Sequence, residues 1–459
     1  MSENDISKVA AKIIKKLKSK DDNDKLAALA YLTKTFPTPS DLANSEYKTQ
    51  IWASLRSTQF LERALRSEES QSLVFMILSV FSHFCPPADL NPFVPLISDM
   101  IKGKYESEPA QCLIEISQNV DDVSILFEYN ELSKESLQFF VQCLSNAKKC
   151  QLTSAVFNAR KKIFLLLSDI NEDLVVRKLL FLIISYLTRA NDKFALYSSK
   201  SKIDISQFLA AERLALIELR LQLDVPLNYK EIEENERKKA QMAKVEAEAE
   251  KKRFEKAHPK SLYEYADNDN EDESDEYIGK KEFDTKNLKL EKPKFTQNIG
   301  PLINPEMSAA SCQLLEYLVT PLLNHEEELN DDIVSDYFKT LDSIIDDTVA
   351  IFNAVEGQRD CNRNELKCLI SLFASWLRDA PFICENFSIF KSLKNIISML
   401  WWFPNEALQF IPAFGTWTES QKAKPQMKAG FSQLAKKMNE IANDEEKAEI
   451  ARISNVIYK

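Results

Sequence analysis

The sequence predicts an all-α protein, an α-solenoid (α-α superhelix) of stacked helix pairs interrupted by a charged insert. Three observations predict it. Apolar residues recur at helical spacing on both sides of residues 230–300. Prolines fall between the periodic runs rather than inside them. Glycine is scarce: the six in 459 residues (Gly103, Gly279, Gly300, Gly357, Gly415 and Gly430) stand far apart. Phosphate-cradling loops, nucleophile elbows and dinucleotide turns need clustered glycine, so the chemistry built on them is not encoded here.

The N-terminal helical block is expected over residues 1–229. Leu26, Leu29, Tyr31, Leu32 and Phe36 mark one buried helical face, which Pro37 and Pro39 end. Ile51 to Leu65 repeats the unit, and the apolar run from Leu73 to Cys85 stops at Pro86 and Pro87. Further helices are expected over 92–102, 109–118, 132–147, 152–168, 172–190 and 205–223, the last opened by an Asp204-x-x-Gln207 capping box. Within it, Ile217-Glu-Leu-Arg-Leu-Gln-Leu223 alternates with the period of a strand. Its good helix formers and the helical run before it keep the segment helical.

Residues 230–300 change character, with 35 charged residues in 71 and ten Leu, Ile, Val or Phe, too few to build a core. Lys230 to Lys256 reads as an exposed single helix supported by i,i+4 ion pairs. Glu264 to Glu276 then holds eight acidic residues and no basic one, before a lysine-rich stretch from Lys280 to Lys294. This linker separates the first block from a second over 301–459. There, helices are expected over 305–325, 330–356, 362–379, 383–402, 404–418, 424–440 and 443–457. Asn304-Pro305 supplies a start, and Asn362-x-x-Glu365 and Asn443-x-x-Glu446 supply capping boxes. No strict repeat period is legible.

Composition narrows the function. A formal net charge of −11 speaks against nucleic acid or an anionic membrane as the main partner. The eight cysteines show no C-x-x-C spacing, so buried free thiols are expected rather than zinc ligands or disulfides. The apolar runs are about half of a membrane span, and Met1-Ser-Glu-Asn-Asp carries no signal peptide, so a cytoplasmic protein is expected, or a nuclear one. His83 and Cys85, two residues apart, point away from each other on a helix, and His83 is expected in the core. His325 before three glutamates is expected at a solvated helix end, and the Trp401-Trp402-Phe403 cluster in the core. The candidate partner contact is the acidic run: Glu264, Asp267, Asp269, Glu271, Asp272, Glu273, Asp275 and Glu276, with Ser274 as a candidate phosphosite. A solubilising linker is the alternative for the same run.

Several stretches carry a family resemblance in shared order. They are Lys25–Lys34 (KLAALAYLTK), Ile51–Leu55, Phe60–Leu65, Leu78–Cys85, Pro95–Ile97, Gln111–Leu113, Phe208–Leu221, Leu372–Leu377 and Glu406–Trp417. In order and spacing they resemble the neurochondrin family of armadillo-like helical-repeat proteins, over most of residues 24–224 and 305–420. The insert has no counterpart there, and Ser2, Glu3 and Asn4 stand where vertebrate members carry cysteines suited to acylation. The resemblance implies an armadillo/HEAT-like fold and a non-catalytic adaptor or scaffold that binds protein partners, with no active site and no cofactor or metal. An assembly chaperone is the alternative, and an enzyme with a site dispersed between helices the remote one.

Overall fold

The computed structural model describes residues 3–36, 41–42, 45–57, 59–169, 173–200, 202–224, 304–355 and 363–459. The candidate contact 264–276, Ser274, the charged helix expected over 230–256, Pro37, Pro39 and Asn362 lie outside them. The described residues form 23 α-helices and one small hairpin. The all-α expectation holds.

In chain order the first helices are α1 (Glu3–Leu17), α2 (Asp22–Thr35), α3 (Lys48–Arg56), α4 (Phe60–Leu65), α5 (Gln71–Ser82), α6 (Phe93–Ile101) and α7 (Glu108–Ser117). Then come α8 (Ser124–Tyr129), α9 (Leu137–Leu144), α10 (Ser154–Leu167), α11 (Leu174–Ala190) and α12 (Lys193–Leu196). An antiparallel hairpin of β1 (Tyr197–Ser199) and β2 (Lys202–Ile203) follows, and then α13 (Ser206–Asp224). After the insert come α14 (Pro305–Leu315), α15 (Thr320–His325), α16 (Asp331–Val355), α17 (Arg363–Asp379), α18 (Phe387–Leu400) and α19 (Pro404–Leu408). The chain ends with α20 (Ile411–Glu419), α21 (Lys424–Lys428), α22 (Phe431–Ile441) and α23 (Asp444–Tyr458).

Three expected helices are each broken in two, and proline or glycine does the breaking. Residues 305–325 divide at the turns after Leu314 and Leu315, because Pro321 has no N–H to offer the preceding turn. Residues 404–418 divide before Pro412 for the same reason, so prolines do not all lie between the periodic runs. Residues 424–440 divide at Gly430, where a Cβ would sit 3.1 Å from the Ile397 Cγ2 of α18. The Asn443–Glu446 capping box forms, each side chain accepting from the other's N–H at 2.8 and 2.9 Å. Asp204 accepts from Ser206 N, but Gln207 turns to Arg160 instead of closing a box.

One compact unit takes in Met1–Arg220, Pro305–Glu356 and Asn362–Lys459. Within it one row of helices packs in succession: α2 on α5, then α7, α9, α11, α14, α17, α20 and α23. A second row includes α4, α6, α8 and α10, and later α16, α18 and α21. The two expected blocks meet where α11 packs on α14. Buried Ser185, Ser308 and Ser311 allow those backbones a close approach, and Lys178 pairs with Glu306 at its edge. Trp376 of α17 is buried and donates its indole N–H to Leu315 O at 3.0 Å, and buried Trp417 of α20 donates to Cys384 O at 3.1 Å. Each large side chain so buried contributes about 1.5–3 kcal/mol. The second unit holds Leu221–Asn304 and Gly357–Cys361. Its described part is the last turn of α13 and Asn304, whose N–H donates to Gln222 Oε1 at 2.7 Å. Among the described residues no helix is long and apolar enough to cross a membrane.

Candidate interaction surface

The start of α13 is fixed by a buried arginine. Arg160 of α10 is 1% exposed. Its guanidinium donates to Phe194 O (3.0 Å), Ala195 O (3.4 Å), Asp204 O (3.3 Å) and Gln207 Oε1 (2.8 Å). The rings of Phe164 and Phe194 flank it at 4.7 and 5.9 Å. Burial pushes its pKa down to about 10, so it stays charged at neutral pH. One side chain thereby ties α12, the end of the hairpin and the first turn of α13 to α10.

Once placed, α13 wears part of its polarity inside out. Glu212 is fully buried, and neither of its carboxylate oxygens finds a hydrogen-bond partner. Burial alone holds its carboxyl well above the usual carboxylate range. Tyr337 of α16 is also fully buried with an unpartnered hydroxyl, and burial and then the neighbouring Glu212 push its pKa well up. Glu218 is buried too, and pairs with Arg177. Meanwhile Ile217 is 53% exposed, and Ala210 and Leu214 stand in the same outward stripe.

Clefts flank that stripe. One, of about 560 Å³, lies toward α10 and is walled by Phe164, Leu165, Leu167, Ala210 and Leu214, with Leu165 71% exposed. The other, of about 740 Å³, lies toward α16 and is lined by Leu209, Leu214, Ile217 and Ile333, with Asp204, Arg213, Asp336, Lys339 and Thr340 at its polar edges. Arg213 is committed to Thr340 Oγ1 (3.1 Å) and Lys339 to Asp336 (3.0 Å). Beyond that cleft, the solvent side of α16 is acidic. Asp331, Asp332, Asp336, Asp342, Asp346 and Asp347 are exposed there, and Lys339 is the exposed basic residue.

A second polar cluster joins α12 to α15. His325 Nε2 lies 2.9 Å from Asp192 Oδ1, and its Nδ1 lies 3.1 Å from Glu328 Oε1. Lys193 Nζ (2.9 Å) and Tyr197 OH (2.6 Å) also donate to Glu328. Lys193 first, then Tyr197 and His325, draw the Glu328 pKa down to about 2. Burial acts to raise Asp192, but His325 and Asn324 outweigh it and leave its carboxyl below the usual value.

Other sequence expectations fare unevenly. Tyr31 of α2 is 49% exposed rather than on the buried face with Leu29 and Leu32, and His83 is exposed at the C-terminal end of α5, not in the core, while Cys85 is buried. His325 is not simply solvated: its side chain is 13% exposed between its two carboxylates. Phe403, Phe410, Phe414 and Trp417 are core residues, but Trp402 is 60% exposed, and Trp401 is half-buried under the Lys437 ammonium, 3.7 Å from its ring. Cys85, Cys112, Cys143, Cys150 and Cys384 are buried free thiols, each pushed up to about 12 chiefly by burial. Cys312 is half-buried and Cys368 exposed. Among the described residues no group of three or more His, Cys, Asp or Glu side chains could hold a metal ion. Sequence reasoning passed over Arg160, Glu212 and Ile217 as functional residues. The alternation at 217–223 was the signal, since within a helix it sets Ile217 outward and Glu218 inward. Compared with protein-family models, curated proteins and solved structures, the chain matches none.

Proposed function

We propose that this chain is a non-catalytic adaptor of the neurochondrin type, an armadillo-like α-solenoid that binds protein partners through its helix surfaces. The observation that carries the reading is α13: it buries Glu212 and leaves Leu214 and Ile217 facing clefts. A helix that only stabilised the fold would reverse both choices, since burying an unpaired carboxyl costs several kcal/mol and exposing isoleucine forgoes about 1.5–3 kcal/mol. The successive packing of α2 through α23 supports the solenoid, in which each repeat touches its neighbours and the array exposes long continuous faces. The buried thiols support a non-catalytic chain, because a cysteine held near 12 offers almost no thiolate at neutral pH.

Affinity purification of the tagged full-length chain, followed by mass spectrometry and reconstitution from purified components, tests the adaptor reading. Direct partners in reconstituted complexes are the expected result. Failure of every recovered protein to bind the purified chain would defeat it. One client bound in strict stoichiometry, and only as a free subunit, would favour an assembly chaperone instead.

A further inference from the structure

We propose that the cleft between α13 and α16 receives a basic amphipathic helix of a protein partner. The proposal rests on the adaptor reading and gives it a location and a partner chemistry. The cleft floor is apolar: Leu209, Leu214 and Ile217 from α13 and Ile333 from α16. Its basic residues are already engaged, Arg213 by Thr340 and Lys339 by Asp336. Those two cations offset Asp204 and Asp336 in the lining, so the net negative charge is that of the exposed aspartates along α16 beyond it.

The placement of that negative charge sets the occupant. Asp331 and Asp332 lie in the first turn of α16 and are favoured there by the helix dipole. Asp342, Asp346 and Asp347 lie further along, where the dipole no longer helps. Lys339 already sits against Asp336, and the exposed pair Asp342–Asp346 is left as like charges at i,i+4, costing roughly 0.2–0.5 kcal/mol in an isolated helix. Counter-charge from outside would relieve that cost. Asp332, Asp336, Ser343 and Asp347 follow one line along α16 (i, i+4, i+11, i+15), and Asp336 itself lines the cleft. The line spans roughly 22 Å, or about four helical turns. A helix laid along α16 repeats its side chains at the same rise, so apolar anchors on one stripe reach Leu214, Ile217 and Ile333. Lysines or arginines on the flank then reach the aspartates. A phosphate backbone or an anionic bilayer would meet repulsion at this rim.

The test uses the full-length chain and fluorescein-labelled helical peptides of ~18 residues with leucine at i, i+3, i+4 and i+7. One peptide carries lysine on its flanks and the other glutamate at the same positions, and binding is read by fluorescence anisotropy. The lysine peptide binds and the glutamate peptide does not. Ile217→Ser weakens binding about tenfold with the salt dependence kept, because it removes apolar contact. Combined Asp332→Asn, Asp336→Asn and Asp347→Asn weakens binding about tenfold at low salt and flattens the dependence between roughly 0.05 and 0.3 M. Both variants change exposed or rim side chains, and circular dichroism and thermal melting check that they fold.

Equal binding of the two peptides would overturn the proposal, as would unchanged affinity in both folded variants. Light scattering that reveals a dimer of the wild type lost in Ile217→Ser would assign the face to a second copy. Partners that bind the purified wild type and both variants equally would overturn the cleft while leaving the adaptor reading intact. If no partner binds the wild type in reconstitution, the adaptor reading fails whatever the peptides do.

Discussion

Around α17 and α20, large buried donors have acceptors. The Trp376 indole reaches Leu315 O, the Trp417 indole reaches Cys384 O, and Phe373, Phe410 and Phe414 fill the space between with tilted or edge-on rings. Around α13 and α16 the pattern differs. Glu212 and Tyr337 are buried without partners, while Ile217 and a row of aspartates face outward. Both regions belong to the same compact unit. The first puts its side chains where they stabilise the fold. The second gives up stability in two ways, which is what the proposed binding surface requires.

The largest expected effect lies in the first region. Trp417→Ala empties a fully buried site and orphans the Cys384 carbonyl, and should cost about 3–5 kcal/mol in urea or guanidinium unfolding. Ile217→Ala should stay within about 0.5 kcal/mol by the same measurement, as an exposed position does. Equal losses at the two sites would erase the contrast.

The next effect sharpens it through pH. The folded-state pKa of Glu212 is raised above its unfolded value of about 4.3. Below that value the carboxyl is protonated in both states and no ionisation penalty exists. As pH rises past it, the unfolded chain releases the proton while the folded chain holds it, so stability falls until the folded group titrates. Glu212→Leu removes this slope. It should stabilise the protein by about 1–3 kcal/mol near pH 8, with a smaller gain near pH 4. A gain independent of pH would mean that Glu212 is not held neutral.

The smallest effect concerns the cluster of His325. The folded-state pKa of Glu328 is depressed to about 2, so its contribution is complete above the unfolded value near 4.3 and fades as pH falls toward 2. Carbon-detected NMR titration should find the Glu328 carboxyl still ionised at pH 3, and Lys193→Met should move its midpoint upward. A midpoint near 4 in the wild type would remove the ion-pair network from solution.

Most helices were legible because their apolar stripes repeat at helical spacing, and α16, α17 and α23 fall within a residue or two of their expected limits. The breaks at Pro321, Pro412 and Gly430 were missed because the apolar period runs across them while the backbone chemistry does not. The hairpin was missed because Tyr197 to Ile203 is too short to display a period. The candidate surface was legible only in part. The aspartates of α16 are plain in the sequence, but their common exposure beside α13 depends on how the two helices pack. Glu212 reads as an ordinary helical surface glutamate until Tyr337 and its own burial reveal otherwise. Arg160 gives no local signal at all, because its acceptors lie 34 to 47 residues further on.

The buried thiols have a kinetic consequence. Cys112 on α7 and Cys143 on α9 belong to the packed row, while Cys384 lies beneath Trp417 near its other end. Each is shut from solvent and held in the unreactive thiol form, so alkylation must wait for its own neighbourhood to open. The chain thus contains its own set of clocks, spaced along the stack. If the helices separate as one cooperative body, the clocks run together; if the row frays turn by turn, they strike in order from the looser end.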